Sequence, residues 1–382
     1  MAQSYKQITD NDRVSIRTPL YETQSLTSSA ISQSSEQNLL SGSSNMFVSF
    51  YDAATTSTSA NLMFDMTIGR STSTTTGSAT TVADFTKEKN IYQQMSKILF
   101  GTQTDGSIYK LDLDFDDNVS NDYELHNSIF INFARGKVKD EIRKGSFALT
   151  MSVSGTAGSA GADYIYMADV SGTTNYKSDS PVGEYGALYV VGTSPATNVT
   201  ASSINPIQGL VFYQAGCVVL SPYIFAISSS NAVPSSTNTN ISSNKYGILT
   251  SSLGSTVLTS SAGTPETQNI GYYFSSGSIT GSVEAIMKQI DKVSFQSTTE
   301  INSTVYFCRV FNNEFNYSAN PTYLSSSEVV VKGGDPLNLP VSYITTVGLY
   351  SDDNQLLAVA KLSEPIKKTP ENELILRTRL DF

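Results

Sequence analysis

The sequence predicts a mainly β fold with two short helices, an α+β arrangement of antiparallel, sandwich- or barrel-like sheets with a C-terminal sheet of three to four strands. Three observations carry that prediction. Between residues 129 and 227, short runs rich in Val, Ile, Tyr and Phe alternate with Gly- and Ser-rich turns, at the spacing of a sandwich or barrel. Only two stretches, 84–100 and 281–293, place apolar residues at helical spacing. Near the end, two β-prone runs flank the polar turn Ser351, Asp352, Asp353, Asn354, which is a hairpin signal, and an alternating run follows.

Taken in order, residues 1–45 read as an extended arm, mostly polar with isolated hydrophobes such as Val14, Ile16, Leu20 and Tyr21. Such a segment is loose alone and ordered by a neighbour. A β-rich body spans 46–280. It opens with strands at 46–51 and 62–69, separated and followed by Ser/Thr/Ala-rich loops. The helix at 84–100 comes next: Ile91, Met95, Ile98 and Leu99 share a face, Asp84 or Thr86 caps the start, and Gly101 follows the end. Strands are then expected at 129–133, 147–153, 164–168, 186–191, 209–219 and 223–227, with a low-complexity Ser/Thr/Asn loop over 228–267.

The third segment, 281–382, combines a helix with a C-terminal antiparallel sheet. Val283, Ile286, Met287 and Ile290 line one helical face, and period-two alternation takes over from Ser294 to Val310. The hairpin pairs 343–350 with 355–362. In the last run Leu376, Thr378, Leu380 and Phe382 share one face, opposite Arg377, Arg379 and Asp381. Chain ends fray unless a sheet or packed helix ties them down, so this strand is expected to belong to a sheet.

Composition narrows the function classes. The 382-residue chain is long enough for two domains or one large β domain with insertions. Hydrophobic residues make up 39% and charged residues 15%, with Ser, Thr, Asn and Gly filling the difference. That mixture suits β-rich particle-surface or extracellular proteins with long neutral loops. Twenty-one Tyr and seventeen Phe supply the aromatic mass of a core. A net charge of −10 argues against nucleic acid as a partner, because phosphate binding needs a positive field. No signal peptide is read at the N-terminus, and no apolar run is long enough to cross a bilayer, so no membrane role is expected. Cys217 and Cys308 each sit in an apolar β-like run and read as free thiols.

Residues 307–323 contain Phe307, Cys308, Arg309, Val310, Phe311, Asn312, Asn313, Glu314, Phe315, Asn316, Tyr317, Ser318, Ala319, Asn320, Pro321, Thr322 and Tyr323. The hairpin, the run through Lys361 to Lys368 and the closing Arg379, Leu380, Asp381, Phe382 follow. This order resembles the C-terminal module of virion structural proteins in large contractile-tailed bacteriophages, notably those of cyanobacteria and other aquatic hosts. A weaker echo lies at 209–220. The resemblance implies a virion structural subunit assembled in the host cytoplasm, at the baseplate or tail, whose partners are other virion proteins and copies of itself in a ring. A neck or head–tail connector is the alternative placement, and a host-surface adhesin or fibre-associated protein a further one.

No catalytic, cofactor-binding or metal-ligating residue is assigned, and no enzyme activity is expected. Asp112, Asp114, Asp116, Asp117 and Asn118 start with the spacing of a calcium loop, but Asp117 stands where Gly is needed and Tyr123 where the closing Glu belongs. In a strand, Asp112, Asp114 and Asp116 share a solvated face opposite Leu111, Leu113 and Phe115. His126, the single histidine, has no triad-like surroundings, and two Cys with one His fall short of a four-ligand zinc site. Paired carboxylates for glycoside hydrolysis meet only in space and are invisible here. The 312–318 segment has two readings: a docking loop anchored by Phe315 and Tyr317, or a loop whose Asn and Ser satisfy its backbone while the aromatics staple it.

Overall fold

The computed structural model describes residues 5–27, 32–33, 46–53, 57–71, 85–113, 124–125, 127–154, 163–194, 207–221, 224, 279–287, 289–317, 324–325, 328–329 and 339–382. It is mainly β and antiparallel, as the sequence predicts. In chain order the elements are β1 (Arg13–Thr27), β2 (Ser32–Gln33), β3 (Val48–Tyr51), β4 (Leu62–Arg70), α1 (Phe85–Leu99), β5 (Leu111–Asp112), β6 (Glu124–Leu125), β7 (Asn127–Phe133), α2 (Arg135–Val138), β8 (Glu141–Ile142), β9 (Ala148–Ser154) and β10 (Asp163–Ala168). There follow β11 (Tyr176–Ser180), β12 (Gly183–Ser194), β13 (Ile207–Phe212), β14 (Cys217–Leu220), α3 (Ile279–Met287), β15 (Ile290–Val310), β16 (Leu324–Ser325), β17 (Glu328–Val329), β18 (Ser342–Tyr350), β19 (Leu356–Lys368) and β20 (Leu374–Asp381). The chain divides into two units, Tyr21–Thr299 and a smaller one made of Met1–Leu20 with Glu300–Phe382, so the boundary falls inside β1 and inside β15.

In the larger unit, hydrogen-bonded neighbours run β9, β10, β12, β13, β14, β7, β4, β3, β2, with the start of β15 beside β9. The central strands β7 and β14 are rich in Val, Ile and Phe because both their faces are covered. β7 is buried at six of seven positions, and β14 at all four. The core is aromatic. Phe133 meets Phe64, Phe147 and Phe295 edge-on at 5.7, 6.0 and 5.0 Å, the geometry that ring quadrupoles favour. Gly69 of β4 lets α1 lie close: a Cβ there would stand 3.0 Å from the Tyr92 backbone nitrogen and 2.8 Å from the Phe130 ring.

Helix α1 buries Glu88, Ile91, Tyr92, Ser96 and Leu99, with Met95 partly buried. Ile98, expected on that face, is 55% exposed. At 100° per residue it falls about a quarter-turn from the centre of the Glu88, Tyr92, Leu99 stripe. Tyr92 explains the preference: its hydroxyl donates to the Leu125 carbonyl (2.6 Å) and accepts the Leu111 N–H (3.1 Å), joining the helix to β5 and β6. Burial of Arg70 lowers its guanidinium pKa, and the Glu88 carboxylate across from it acts in the opposite sense.

Two other expectations are corrected. The second helix ends at Met287, not Val293, because Ile290, Val293 and Phe295 are buried as strand residues and Ile290 and Val293 pair with β9. β-Branched and aromatic residues fit that pleated surface better than a helix interior. The run 209–219 is a hairpin and not one strand: β13 turns through Tyr213, Gln214, Ala215 and Gly216 into β14, with Gly216 at φ +66°. The expected strand 223–227 lies outside the described residues except for Ile224, and so does the low-complexity loop 228–267.

In the smaller unit the second half of β15 has β1 on one edge and β20 on the other. The β20 ladder runs from Ser303↔Asp381 to Val310↔Leu374, and the Phe382 N–H adds a bond to the Asn302 carbonyl at 2.9 Å. The final run is therefore a strand, paired with β15 and not with the hairpin. Its faces follow the predicted alternation, Leu376 buried and Thr378 and Leu380 half-buried, while Phe382 stays exposed. β18 and β19 form a separate two-stranded sheet. Its turn closes through Ser351 N–H to Gln355 O (2.9 Å) and Asn354 N–H to Ser351 O (3.0 Å), with Asn354 at φ +59°, a conformation Asn tolerates. Residues 13–27, expected as arm, form β1.

Candidate docking surface on the terminal unit

The sequence assigned no catalytic or metal site, and the described residues assemble no group of three metal-ligating side chains. Leu111 and Leu113 are buried with Asp112 between them half-exposed, the alternation expected of a strand, and Asp112 pairs with Glu124. Asp114, Asp116, Asp117, Asn118 and His126 lie outside the described residues. Cys217 and Cys308 are free. Burial pushes the Cys217 thiol up to about 12, and burial with the Asp12 charge raises Cys308, so neither thiol is activated. Among the described residues no helix is long and apolar enough to cross a membrane.

A buried carboxylate in the larger unit, unforeseen in the sequence, is structural in geometry. Asp169 is 1% exposed, and its Oδ2 accepts the Gly145 N–H and the Tyr213 hydroxyl, each at 2.8 Å. Burial raises its pKa, partly opposed by the Gly145 N–H and then the Tyr213 hydroxyl; burial and the Asp169 charge keep Tyr213 protonated as a donor. Gly172 makes this possible, since a Cβ there would fall 2.3 Å from both carboxylate oxygens and from the Tyr213 hydroxyl. One carboxylate thus ties together the turn before β9, the loop after β10 and the turn after β13.

The two units differ in how much apolar surface they bury. Among the described residues, all but four of the buried apolar side chains belong to the larger unit; the exceptions are Val305, Val310, Leu349 and Leu376. Conversely, sixteen of the twenty-four exposed large hydrophobic side chains among the described residues belong to the smaller unit. A buried Leu or Phe stabilises by about 1.5–3 kcal/mol, whereas ordering the backbone costs about 1–2 kcal/mol per residue. Among the described residues of this unit, order therefore comes more from polar bonds than from a packed core.

Within it, the 311–317 loop is held rigidly. Phe315 adopts φ +53°, rare for an aromatic residue. Lys368, fully buried, donates its ammonium to the Asn312 carbonyl (3.1 Å), the Asn316 Oδ1 (2.8 Å) and the Thr369 carbonyl (2.7 Å). Three acceptors match its three N–H groups, which is what a buried ammonium requires. Glu314 accepts the Phe311 N–H at 3.0 Å and pairs with Lys6 at 2.5 Å, and Lys6 also lies 3.9 Å from the Phe311 ring centroid. The Lys6 ammonium and the Phe311 N–H hold the Glu314 carboxyl below the usual carboxylate range. The Ser342 hydroxyl donates to the Phe315 carbonyl, tying the loop to β18.

Polar bonds tie the loop down, and Phe315 is 48% and Tyr317 59% exposed. The N-terminal segment is fastened beside it by charge: Asp12 pairs with Arg309 at 2.8 Å and Arg17 with Glu300 at 3.4 Å, while Tyr5 packs on Tyr350 with centroids 4.8 Å apart. Of the two sequence readings of 312–318, the polar residues do satisfy backbone groups, and the part-exposed rings of Phe315 and Tyr317 fit either an anchor or a staple. Lys368 and Lys6 were not singled out from the sequence, because nothing in a Lys367, Lys368 pair marks one as buried. Comparison with protein-family models, with curated proteins and with solved structures finds no match for this chain.

Proposed function

We propose that this chain is a structural subunit of a tailed bacteriophage virion, placed at the baseplate or tail periphery, that acts by protein–protein assembly without turnover. On this reading its partners are other virion proteins and further copies of itself in a closed ring, and it joins the particle in the host cytoplasm. One observation carries the assembly part: a well-packed unit is joined in sequence to a second unit that leaves its hydrophobic side chains exposed around a rigid, aromatic-tipped loop. Exposed apolar surface of this extent marks interaction sites, and rigid aromatic anchors dominate interface energetics. The phage part rests on the resemblance of residues 307–323 and the hairpin that follows. The test is quantitative mass spectrometry of purified virions with heads and tails separated. Enrichment in tails, at a copy number divisible by three or six, is the expected result. Enrichment with the portal fraction moves the placement to the neck, and absence from mature particles removes the virion reading.

A further inference from the structure

The edges of the β18–β19 hairpin differ in how they are guarded. Natural sheets blunt exposed edges with charges, Pro and bulges, because unpaired N–H and C=O groups recruit another strand. β19 carries Lys361, Glu364, Pro365, Lys367 and Lys368, and its register is broken opposite the 344–346 step. β18 is nine residues long and contains no charged residue and no proline. Among the described residues neither strand has a sheet partner besides the other. A lone two-stranded ribbon is marginal in water, and two further strands convert it to a stable sheet.

We propose that β18 pairs antiparallel with β18 of a second copy of this chain, giving a four-stranded sheet across a two-fold axis. Charge along the hairpin favours this occupant and this direction. The tip carries Asp352 and Asp353, both exposed; the opposite end carries exposed Lys367, across from Tyr343, with exposed Glu371 and Glu373 after it, and exposed Lys361 lies mid-strand across from Thr346. Glu364, in the bulge, is the one acidic side chain on that half of β19. Antiparallel pairing of identical hairpins sets each acidic tip beside the end of the partner that carries Lys367, whereas parallel pairing would set the two acidic tips side by side. β18 itself has no charge to repel its own copy. The pairing is independent of where the protein resides.

The test uses the full chain in sedimentation equilibrium across a concentration series. A reversible dimer is expected, weakened at least about tenfold by Thr345→Lys, which places a charge on the exposed edge. D352K/D353K and K361E/K367E chains should each dimerise more weakly alone than when mixed, since only the mixed pair sets opposite charges together at both ends. Circular dichroism of each variant matching the parent keeps the comparison valid. A parent chain that stays monomeric throughout, or a dimer indifferent to all three variants, overturns the proposal. Neither outcome touches the virion reading, which stands or falls on the composition of purified particles.

Discussion

The larger and smaller units solve the problem of burying apolar surface in opposite ways. The larger unit, Tyr21–Thr299, packs its strands around a core, with Phe64, Phe147 and Phe295 all against Phe133 and Asp169 tying three turns. The smaller unit keeps its shape with hydrogen bonds and ion pairs, while Leu356, Leu357, Val359 and Ile375 face outward. A core that satisfies itself needs no partner. A surface organised by polar bonds leaves its hydrophobes in water, which is the feature the proposed assembly role uses. The contrast predicts that the two units respond differently to the same kinds of perturbation.

The largest effect belongs to the aromatic core. Phe130→Ala, at a fully buried position in β7, should cost about 3–5 kcal/mol in denaturant unfolding. A loss under 1 kcal/mol would show that the larger unit lacks the packing described. In the smaller unit the comparable lesion is loss of a strand. Deleting residues 374–382 strips β20 from β15 and exposes the edge from Ser303 to Val310, so the truncated chain should aggregate in light scattering. A soluble, well-folded truncation would contradict the β15–β20 ladder. Lys368→Met ranks next. It leaves three acceptors without their donor, at about 2–3 kcal/mol of local stability, and hydrogen exchange should accelerate over 311–317 while β7 and β14 keep their protection.

Acidification should separate the units by sign. Asp169 has a folded pKa raised by burial, so the fold binds that proton more tightly than the unfolded chain does. Its contribution improves as pH falls through the raised value and is complete below the ordinary 3.8. Glu314 is lowered by Lys6 and the Phe311 N–H, and Asp12 and Asp381 are lowered first by hydrogen bonds from Thr9 and Ser303. Their contributions are present above the unfolded carboxylate values and are lost as pH falls through the lowered folded values. Exposed Asp52 and Asp105 in the larger unit are lowered too, but by their own turns, through Asn61 and Ser107. Hydrogen exchange from pH 6 toward pH 3 (about the range over which carboxylates titrate) should therefore show the 311–317 loop loosening while the Gly145 turn holds. Asp169→Asn should remove the Gly145 turn's share of the response; parallel loosening of both sites in the parent chain would sink the assignment.

Much of this fold was legible because buried strands write their pattern into the sequence: β4, β7, β9, β10 and β12 stand where Val, Ile, Tyr and Phe cluster between turn residues. The hairpin was equally plain, since Ser351, Asp352, Asp353 and Asn354 interrupt two β-prone runs. β1 was not, because an edge strand with most side chains in solvent has no alternation to read. The partner of β20 was hidden for another reason: nothing local distinguishes pairing with β19, next in sequence, from pairing with β15. The site residues divide likewise. Phe315 and Tyr317 stood out as aromatics in a polar loop, but Lys6 and Lys368 act through contacts 308 and 52 residues away in the chain.

The smallest effect on stability is the most informative about purpose. If Phe315 and Tyr317 are anchors for a partner, then F315S/Y317S leaves the loop's polar bonds in place and should shift unfolding by no more than about 0.5 kcal/mol, as exposed positions do. The same variant should be depleted from assembled particles, because its interface has lost aromatic area while its fold has not. If instead the rings staple the loop, unfolding drops by about 2 kcal/mol or more and exchange quickens across 311–317 with no partner present. Retaining Lys368 throughout is what separates the outcomes, since its bonds to Asn312 and Asn316 hold the backbone whichever role the aromatics play.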